Sequence, residues 1–338
     1  MIFGLVPANI VLGQRFKGGS RMTESVDDLK ARLRAAPLRI GISTRALFDL
    51  EEEHKVFEEQ GVHAYIDLQH AREGELIRKG TAFEVVDRLL RLNEPDSDPY
   101  VQIVVLSRNS PDLSLRAFKS IEHYGLPVVT GSFTSGAPIG PYIPAWNIDL
   151  FLSNDPHDVK SAIGAKCAAA RLGKVPEQLR FQSNDEVRIA FDGDAVVFSA
   201  ESDQIFAEQG LAAFRAHELE NAQKPMEGGP FGEFLKKLSI LRAIYMGDKG
   251  VSKVRIGIVT ARDSAAHARV IHTLRAWGTP ADEAHFVGRW KKAPILEAFG
   301  AHIFFDDQEK HVLGAAGVVP SGHVPGPHNP NNAVIPAG

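Results

Sequence analysis

The sequence predicts an α/β fold built from two Rossmann-like parallel-sheet units, and three observations predict it. Short apolar runs alternate with helical patterns along most of the chain, which is the signature of parallel α/β sheets. The runs also repeat at a nearly constant spacing, as two copies of one unit would. Finally, 338 residues of ordinary globular composition, 44% hydrophobic and 24% charged, are enough for two cores of usual size.

The segments follow in order. Residues 1–37 form an N-terminal extension whose first part, MIFGLVPANIVLGQRF, lacks a basic start and a small-residue cleavage site, so it is a poor signal peptide. Met22, followed by the polar TESVDDLKARL, is an alternative start. Residues 38–175 hold the first unit, with strands expected at Leu38–Ile42, Ile103–Leu106 and Ile148–Leu152 and a helix at Leu113–Tyr124. Residues 185–320 hold the second, with strands at Arg188–Phe191, Arg255–Val259 and Ile303–Phe305 and a helix at Ala265–Trp277. Residues 321–338, rich in Pro, Gly, Asn and His, read as a flexible tail.

The repeat is specific. A shift of 153 residues lays VQIVVLSRNS (from Val101) on VRIGIVTARD (from Val254), and puts Arg116 on Arg269, Gly125 on Gly278, Pro127 on Pro280 and Phe151 on Phe304. A shift of 149 lays LRIGISTRALF (from Leu38) on VRIAFDGDAVV (from Val187). The chemistry separates the copies. Ser43 and Arg45 stand where the second copy has Asp192 and Asp194, and Ser153 and Asn154 where it has Asp306 and Asp307. The first copy has no lysine from Ser120 to Val159, whereas Lys291 and Lys292 precede the last strand of the second. The N-terminal unit is therefore a degenerate copy, and catalysis is expected in the C-terminal one.

Four elements of that half lie at strand ends or helix starts: Asp192-Gly193-Asp194, Thr260 with Arg262 just beyond it, Lys292, and Asp306-Asp307. In a parallel α/β sheet ligands bind outside the carboxyl ends of the strands, so all four converge on one crevice. Carboxylates at the end of a buried strand are costly unless neutralised, and a bound cation neutralises them most readily. Magnesium held by Asp192, the carbonyl of Asp194 and one of Asp306 or Asp307 would leave Asp192 able to attack a phosphate, with Asp194 as acid and base. Lys292 and Thr260 would stabilise the charge that spreads over the phosphoryl oxygens. Arg262 is a candidate substrate contact, and in the first copy Arg45, Arg108 and Asn109 stand at the equivalent strand ends, as contacts for the nucleoside, for an effector nucleotide or for nothing, the last leaving that half a dimerisation or scaffolding unit.

Between Asp194 and Val254 lies an insert with helical periodicity, about 200–250, placed where a cap would close over the phosphate. Phe206, Phe214 and Phe231 within it are candidates to stack on a base, and Gly228-Gly229-Pro230 for a hinge or loop. His63, His70 and His123 show no metal-ligand spacing. A net charge of −4 gives no reason to expect nucleic acid, and no apolar run reaches the length of a membrane span. A single cysteine, Cys167, excludes an intrachain disulfide and suits a cytoplasmic setting. No G-x-G-x-x-G follows the first strand of either unit, which argues against a nicotinamide-binding protein.

These elements resemble the haloacid dehalogenase (HAD) superfamily of phosphotransferases. The phrases RALFDLEEEHKVFEEQGV, NSPDLSLRAFKSIEHYGL, IDLFLS, AFDGDAVVFSAESD, VTARDSAAHARVIHTLRAWG and AHIFFDDQEKHV look like the cytosolic 5′-nucleotidase I family, over roughly Leu38 to Val319. That resemblance implies a HAD-like fold and magnesium-dependent hydrolysis of nucleoside 5′-monophosphates, AMP-like purine nucleotides first. It further implies Asp192 as nucleophile, Asp194 as acid/base, Lys292 as the phosphate-neutralising lysine and Asp306/Asp307 as the metal site. A homo-oligomer is an open expectation. The alternatives are a related HAD-type phosphatase on another small phosphate ester, and a nucleotide-binding regulator without turnover. Lys291 beside Lys292 leaves open which of the two points inward.

Overall fold

The computed structural model describes residues 24–176, 179, 185–262 and 266–326. The alternative start at Met22, the N-terminal apolar stretch and residues 327–338 of the expected tail lie outside them.

Ten strands form one sheet. The first unit supplies β1 (Leu38–Ile42), β2 (Val101–Ser107), β3 (Thr130–Phe133), β4 (Leu150–Ser153) and β5 (Ala168–Leu172). The second supplies β6 (Val187–Phe191), β7 (Val254–Thr260), β8 (Glu283–Phe286), β9 (Ile303–Asp306) and β10 (Ser321–His323). Their order across the sheet is β8-β7-β6-β9-β10-β5-β4-β1-β2-β3. Outward from the middle, each unit therefore reads its fifth, fourth, first, second and third strand, so the two copies share one topology. Within this sheet every pairing inside a unit is parallel, and a separate two-stranded antiparallel pair, Phe48–Asp49 with Arg78–Lys79, lies in the first unit. Apolar side chains on both faces of β1, β2, β6 and β7 make them near-continuous buried runs, as a parallel sheet covered by helices requires.

The two units are not separate bodies. β10 pairs with β5, Gly322 opposite Leu172 and His323 opposite Arg171, and this seam is antiparallel. Two findings follow. Residues 321–323, expected in the flexible tail, are the strand that fuses the units, which moves the ordered boundary past the tail's expected start. The strands of the two units also run in opposite senses, so their carboxyl ends emerge at opposite edges of the sheet.

The flanking regions are likewise more ordered than the sequence suggested. Helix α1 (Val26–Ala35), inside the expected extension, starts in a capping box between Ser25 and Asp28 and buries Leu29 and Leu33. It packs on a helix from the other unit, Gly232–Ile244, which lies within the expected cap insert. That helix buries Phe234, Leu235, Leu238 and Leu241, and its Lys237 reaches across to Asp149, 2.7 Å away. It belongs to the sheet's cover, which leaves the helix Glu201–Glu220 and the turn after it as the candidate cap.

Each unit carries a long helix after its first strand, at the place expected for a cap. Helix α2 (Glu51–Ala71) follows β1 as α3 (Glu201–Glu220) follows β6. Each breaks at one glycine with positive φ, Gly61 at 83° and Gly210 at 80°, positions related by the same shift of 149 that relates β1 to β6. Only glycine takes this conformation without strain, so the kink is written into both copies.

Candidate active site

Strand β6 delivers Asp192, whose backbone N–H donates to the carbonyl of Phe305 on β9 at 2.8 Å. This ladder bond fixes the end of β6 beside the end of β9, and so Asp192 beside Asp306. Asp192 is 3% exposed and Asp306 fully buried. Lys292, at the N-terminal end of the helix Ala293–Phe299, lies between them, with Nζ 2.9 Å from Asp192 Oδ1 and 2.7 Å from Asp306 Oδ2. Lys291 is exposed, so Lys292 is the inward lysine. Burial would lower the lysine's pKa, but the two carboxylates outweigh it and raise it well above the ordinary range.

The two oxygens of Asp192 differ. Oδ1 accepts from its neighbour Gly193 N–H at 2.7 Å as well as from Lys292. Oδ2 is assigned no protein donor among the described residues, which leaves it available to attack. Burial, then Asp306 and Asp194, push the carboxyl up against the pull of Lys292. Gly193 sits close under Thr260: a Cβ there would lie 3.3 Å from Thr260 Oγ1. Thr260, ending β7, is buried, and its Oγ1 accepts from Arg262 N–H at 3.3 Å.

Asp306 and Asp307 have different surroundings. Asp306 Oδ1 accepts from Gln308 N–H at 2.8 Å, and its Oδ2 meets Lys292 and, at 3.2 Å, His311 Nδ1. Burial raises it, yet Lys292 and His311 win and hold it below the usual carboxylate value. Asp307 Oδ1 is buried with no hydrogen-bond partner. Burial and the neighbouring Asp192, Asp306 and Asp203 push its carboxyl up to about 9. Asp307 is thus the carboxylate that a cation would satisfy. Asp192, Asp306 and His311 also present ligand atoms within 4.8 Å of one another, but Lys292 already supplies positive charge there. The donor set fits a hard divalent cation at Asp192 and Asp307 better than at the Lys292 side.

Arg262 departs from the sequence reading. It was a candidate substrate contact, but its side chain is buried and both oxygens of Asp194 accept from it, at 2.8 Å from Nε and 2.7 Å from Nη2. Its Nη1 pairs with Glu218 on α3. Glu218 also meets Arg269 at 2.9 Å and Ser202 Oγ at 2.8 Å. Arg262 therefore orients Asp194 and ties it to the cap. Arg45, Arg108 and Asn109, the other candidate substrate contacts, line a cavity of the first unit at the opposite sheet edge, away from Asp192. They do not share the crevice of the four catalytic elements.

Of the three insert phenylalanines, Phe231 is fully buried among Phe191, Phe234 and Phe305, a core residue and no base contact. Phe206 and Phe214 form an edge-to-face pair on the cap, 6.2 Å between ring centres. Gly229 is packed against the chain, since a Cβ there would meet the carbonyl of Phe198 at 2.3 Å, so only glycine fits this turn. Three residues were missed: Glu218, His311 and Asp203. Asp203 sits on the cap helix, and burial with Asp194 and Asp192 nearby pushes it up to about 7. The signal for Glu218 lay in the repeat, because the shift of 149 puts Gln69 of the first copy on it.

Comparison with known proteins gives two findings. A family model described as 5′-nucleotidase matches residues 30–331. Cytosolic 5′-nucleotidase 1B of Homo sapiens is 34% identical over 288 residues, covering 82% of this chain and 47% of that protein. The chain thus spans about half the length of the curated relative it matches. No solved structure matches.

Proposed function

The chain belongs to the 5′-nucleotidase family, and from that premise we propose that it hydrolyses nucleoside 5′-monophosphates, AMP-like purine nucleotides first, through an aspartyl-phosphate on Asp192. The observation that carries this reading is a buried aspartate with one oxygen held by Lys292 and the other unengaged, beside a carboxylate, Asp307, with no partner of its own. Magnesium, held by Asp192, Asp307 and the backbone carbonyl of Asp194, would screen the negative charge of the substrate from that of the site.

The chain's own residues perform the steps. Asp192 Oδ2 attacks phosphorus, the bond from phosphorus to the 5′ oxygen breaks, and its electron pair leaves with that oxygen. Lys292 and the Thr260 hydroxyl meet the charge that spreads over the phosphoryl oxygens. Asp194, protonated, gives its proton to the departing oxygen and then removes one from the water that attacks the aspartyl-phosphate. The bond between phosphorus and Asp192 breaks in that second step, and the carboxylate returns. To act so, Asp194 must release one oxygen from Arg262; Glu218 on the cap keeps the guanidinium neutralised when it does. Opening of α3 would loosen Arg262 and Asp194 together, which couples enclosure of the substrate to the state of the acid. The relative's name places that protein in the cytosol, and we extend that setting to this chain.

The test is phosphate release from nucleoside 5′- and 3′-monophosphates and sugar phosphates, with magnesium and with chelator. Metal-dependent release favouring 5′-nucleotides is expected. Release from sugar phosphates alone would overturn the substrate, and release unchanged by Asp192→Asn would overturn the mechanism.

A further inference from the structure

The first unit has lost the catalytic groups but kept the machinery that holds a cap. Arg116 on the helix Ser114–His123 bonds Gln69 and Glu53 of α2 and the carbonyl of Glu75. Arg269, its partner by the shift of 153, bonds Glu218 and Glu201 of α3 and the carbonyl of Lys224. Gln69 and Glu75 fall on Glu218 and Lys224 by the shift of 149. Ser120 Oγ accepts from Ile77 N–H as Thr273 Oγ1 accepts from Met226 N–H, each 3.0 Å long. Three of these bonds therefore correspond position for position in the two units, while Glu53 falls on Ser202 and Glu201 takes its place at Arg269.

The aromatic pair is kept too. Phe57 and Tyr65 on α2 lie edge to face at 5.9 Å and 80°, and Phe206 and Phe214, their counterparts by the shift of 149, lie at 6.2 Å and 85°. Beneath Phe57 and Tyr65 is a cavity of ≈ 420 Å³ that reaches down to Ser43, Arg45, Ser107 and Ser153. These are the positions of Asp192, Asp194, Thr260 and Asp306 in the other copy. At these four positions the acids have become hydroxyls and an arginine; Asp155 and Asp158 also line the cavity, both paired with Arg108. Glu51 occupies Nε and Nη2 of Arg45, and leaves Nη1 for a ligand. No nucleophile, no acid and no lysine remain at the corresponding positions.

We propose that this cavity is a second, non-hydrolytic site for a nucleoside monophosphate, its base against Phe57 and Tyr65 and its phosphate on Arg45 and the serine hydroxyls. The choice of ligand rests on the nucleotide reading of the second unit, since the duplicated aromatic pair is what the two caps share. A volume of this size suits one small ligand, and aromatic walls with a few convergent polar groups are the usual make-up of such sites.

The experiment uses the full chain with Asp192→Asn, in chelator, so that nothing is turned over, and adenosine 5′-monophosphate as the probe in equilibrium dialysis. Phe57→Ala in this background removes a half-exposed side chain from the wall, and Ser43→Asp restores a carboxylate to the floor. Each is expected to weaken one class of bound probe at least tenfold while the thermal transition of the chain is kept. Binding that is unchanged by both variants overturns the proposal, as does adenosine held at the Phe57-dependent site as tightly as its monophosphate. The two readings fail separately: phosphate release by the wild-type chain tests the second unit, and Phe57-dependent binding tests the first.

Discussion

Replacing Asp192 by asparagine is expected to abolish turnover and to stabilise the metal-free protein. Five carboxylates of the second unit, Asp192, Asp194, Asp203, Asp306 and Asp307, crowd one crevice among the described residues. Lys292 and Arg262 are the cations that face them. Burial and this crowding raise Asp192 from 3.8 to about 6. A group whose folded pKa lies above its unfolded value favours the fold at low pH and loses that contribution as pH rises through the window, here about 4 to 6. Above it, the ionised carboxylate costs the folded state about 3 kcal/mol. Asparagine keeps an oxygen for Lys292 and Gly193 but as a neutral acceptor, a loss of about 1 kcal/mol. The net gain is about 2 kcal/mol at pH 7.5 in chelator, read from urea denaturation, with almost none at pH 4. Magnesium should shrink the difference, because it stabilises the wild-type chain by binding the folded state. A destabilised Asp192→Asn in chelator, or one as active as wild type, would refute the reasoning.

Three further outcomes are expected. Lys292→Ala should lower phosphate release by orders of magnitude and destabilise the chain by about 3–5 kcal/mol, since two buried carboxylates lose their counter-charge, whereas Lys291→Ala, at an exposed position, should stay within about twofold in both measurements; equal losses would reverse the assignment of the inward lysine. His302 is buried at the start of β9, where its Nδ1 accepts from Arg188 N–H at 2.8 Å; burial, with Arg88 and Arg188 nearby, pushes it down to about 3. Unfolding lets it take up a proton, so its contribution is whole above about pH 6.5 and fades as pH falls toward 3, by roughly 5 kcal/mol in all; denaturation midpoints that fall no faster below pH 6.5 for wild type than for His302→Asn would refute this. Gly322→Ala puts a Cβ 2.8 Å from the Phe305 ring and 3.0 Å from Ala170 Cβ in the seam between the units. It should cost about 1–3 kcal/mol by overpacking, visible as a lower urea midpoint for the whole chain, and an unchanged midpoint would mean that the seam is looser than it looks.

How legible the protein was in its sequence depended on which distances a feature spans. Leu38–Ile42 was bounded correctly because a strand buried on both faces is a local apolar run. Thr130–Phe133 and Glu283–Phe286 escaped notice because they are half-buried edge strands with no such run, and Ala168–Leu172 because three alanines carry no strand signal. The four candidate elements could be grouped because a single rule, that parallel strands present their carboxyl ends together, turns four separate spacings into one crevice. Where that rule stopped, so did the reading. Arg45 and Arg108 were placed with the substrate because nothing in one dimension shows that β10, three residues in a Gly- and Pro-rich tail, pairs antiparallel to β5 and turns the first unit over. The pairing of Arg262 with Glu218 was hidden for the same reason, as the two are joined only through the fold.

That inversion also gives the duplication its sense. Were the seam parallel, both crevices would open on one edge, and the arginines of the first copy would stand beside the carboxylates of the second. With the seam antiparallel, each crevice has its own helix above it and its own charge, apart from the other. The anchors around Arg116 and Arg269 match, whereas Ser43, Arg45, His54, Ser153 and Asn154 stand where the second crevice has Asp192, Asp194, Asp203, Asp306 and Asp307. A copy that served only to cover the sheet would have no physical need for a caged cavity beneath an aromatic pair. Filling it with apolar side chains would stabilise the fold, at about 25 cal/mol for each Å² of apolar surface removed from water. The cavity persists beneath a fully built cap, and this is the strongest physical reason to look for a ligand there.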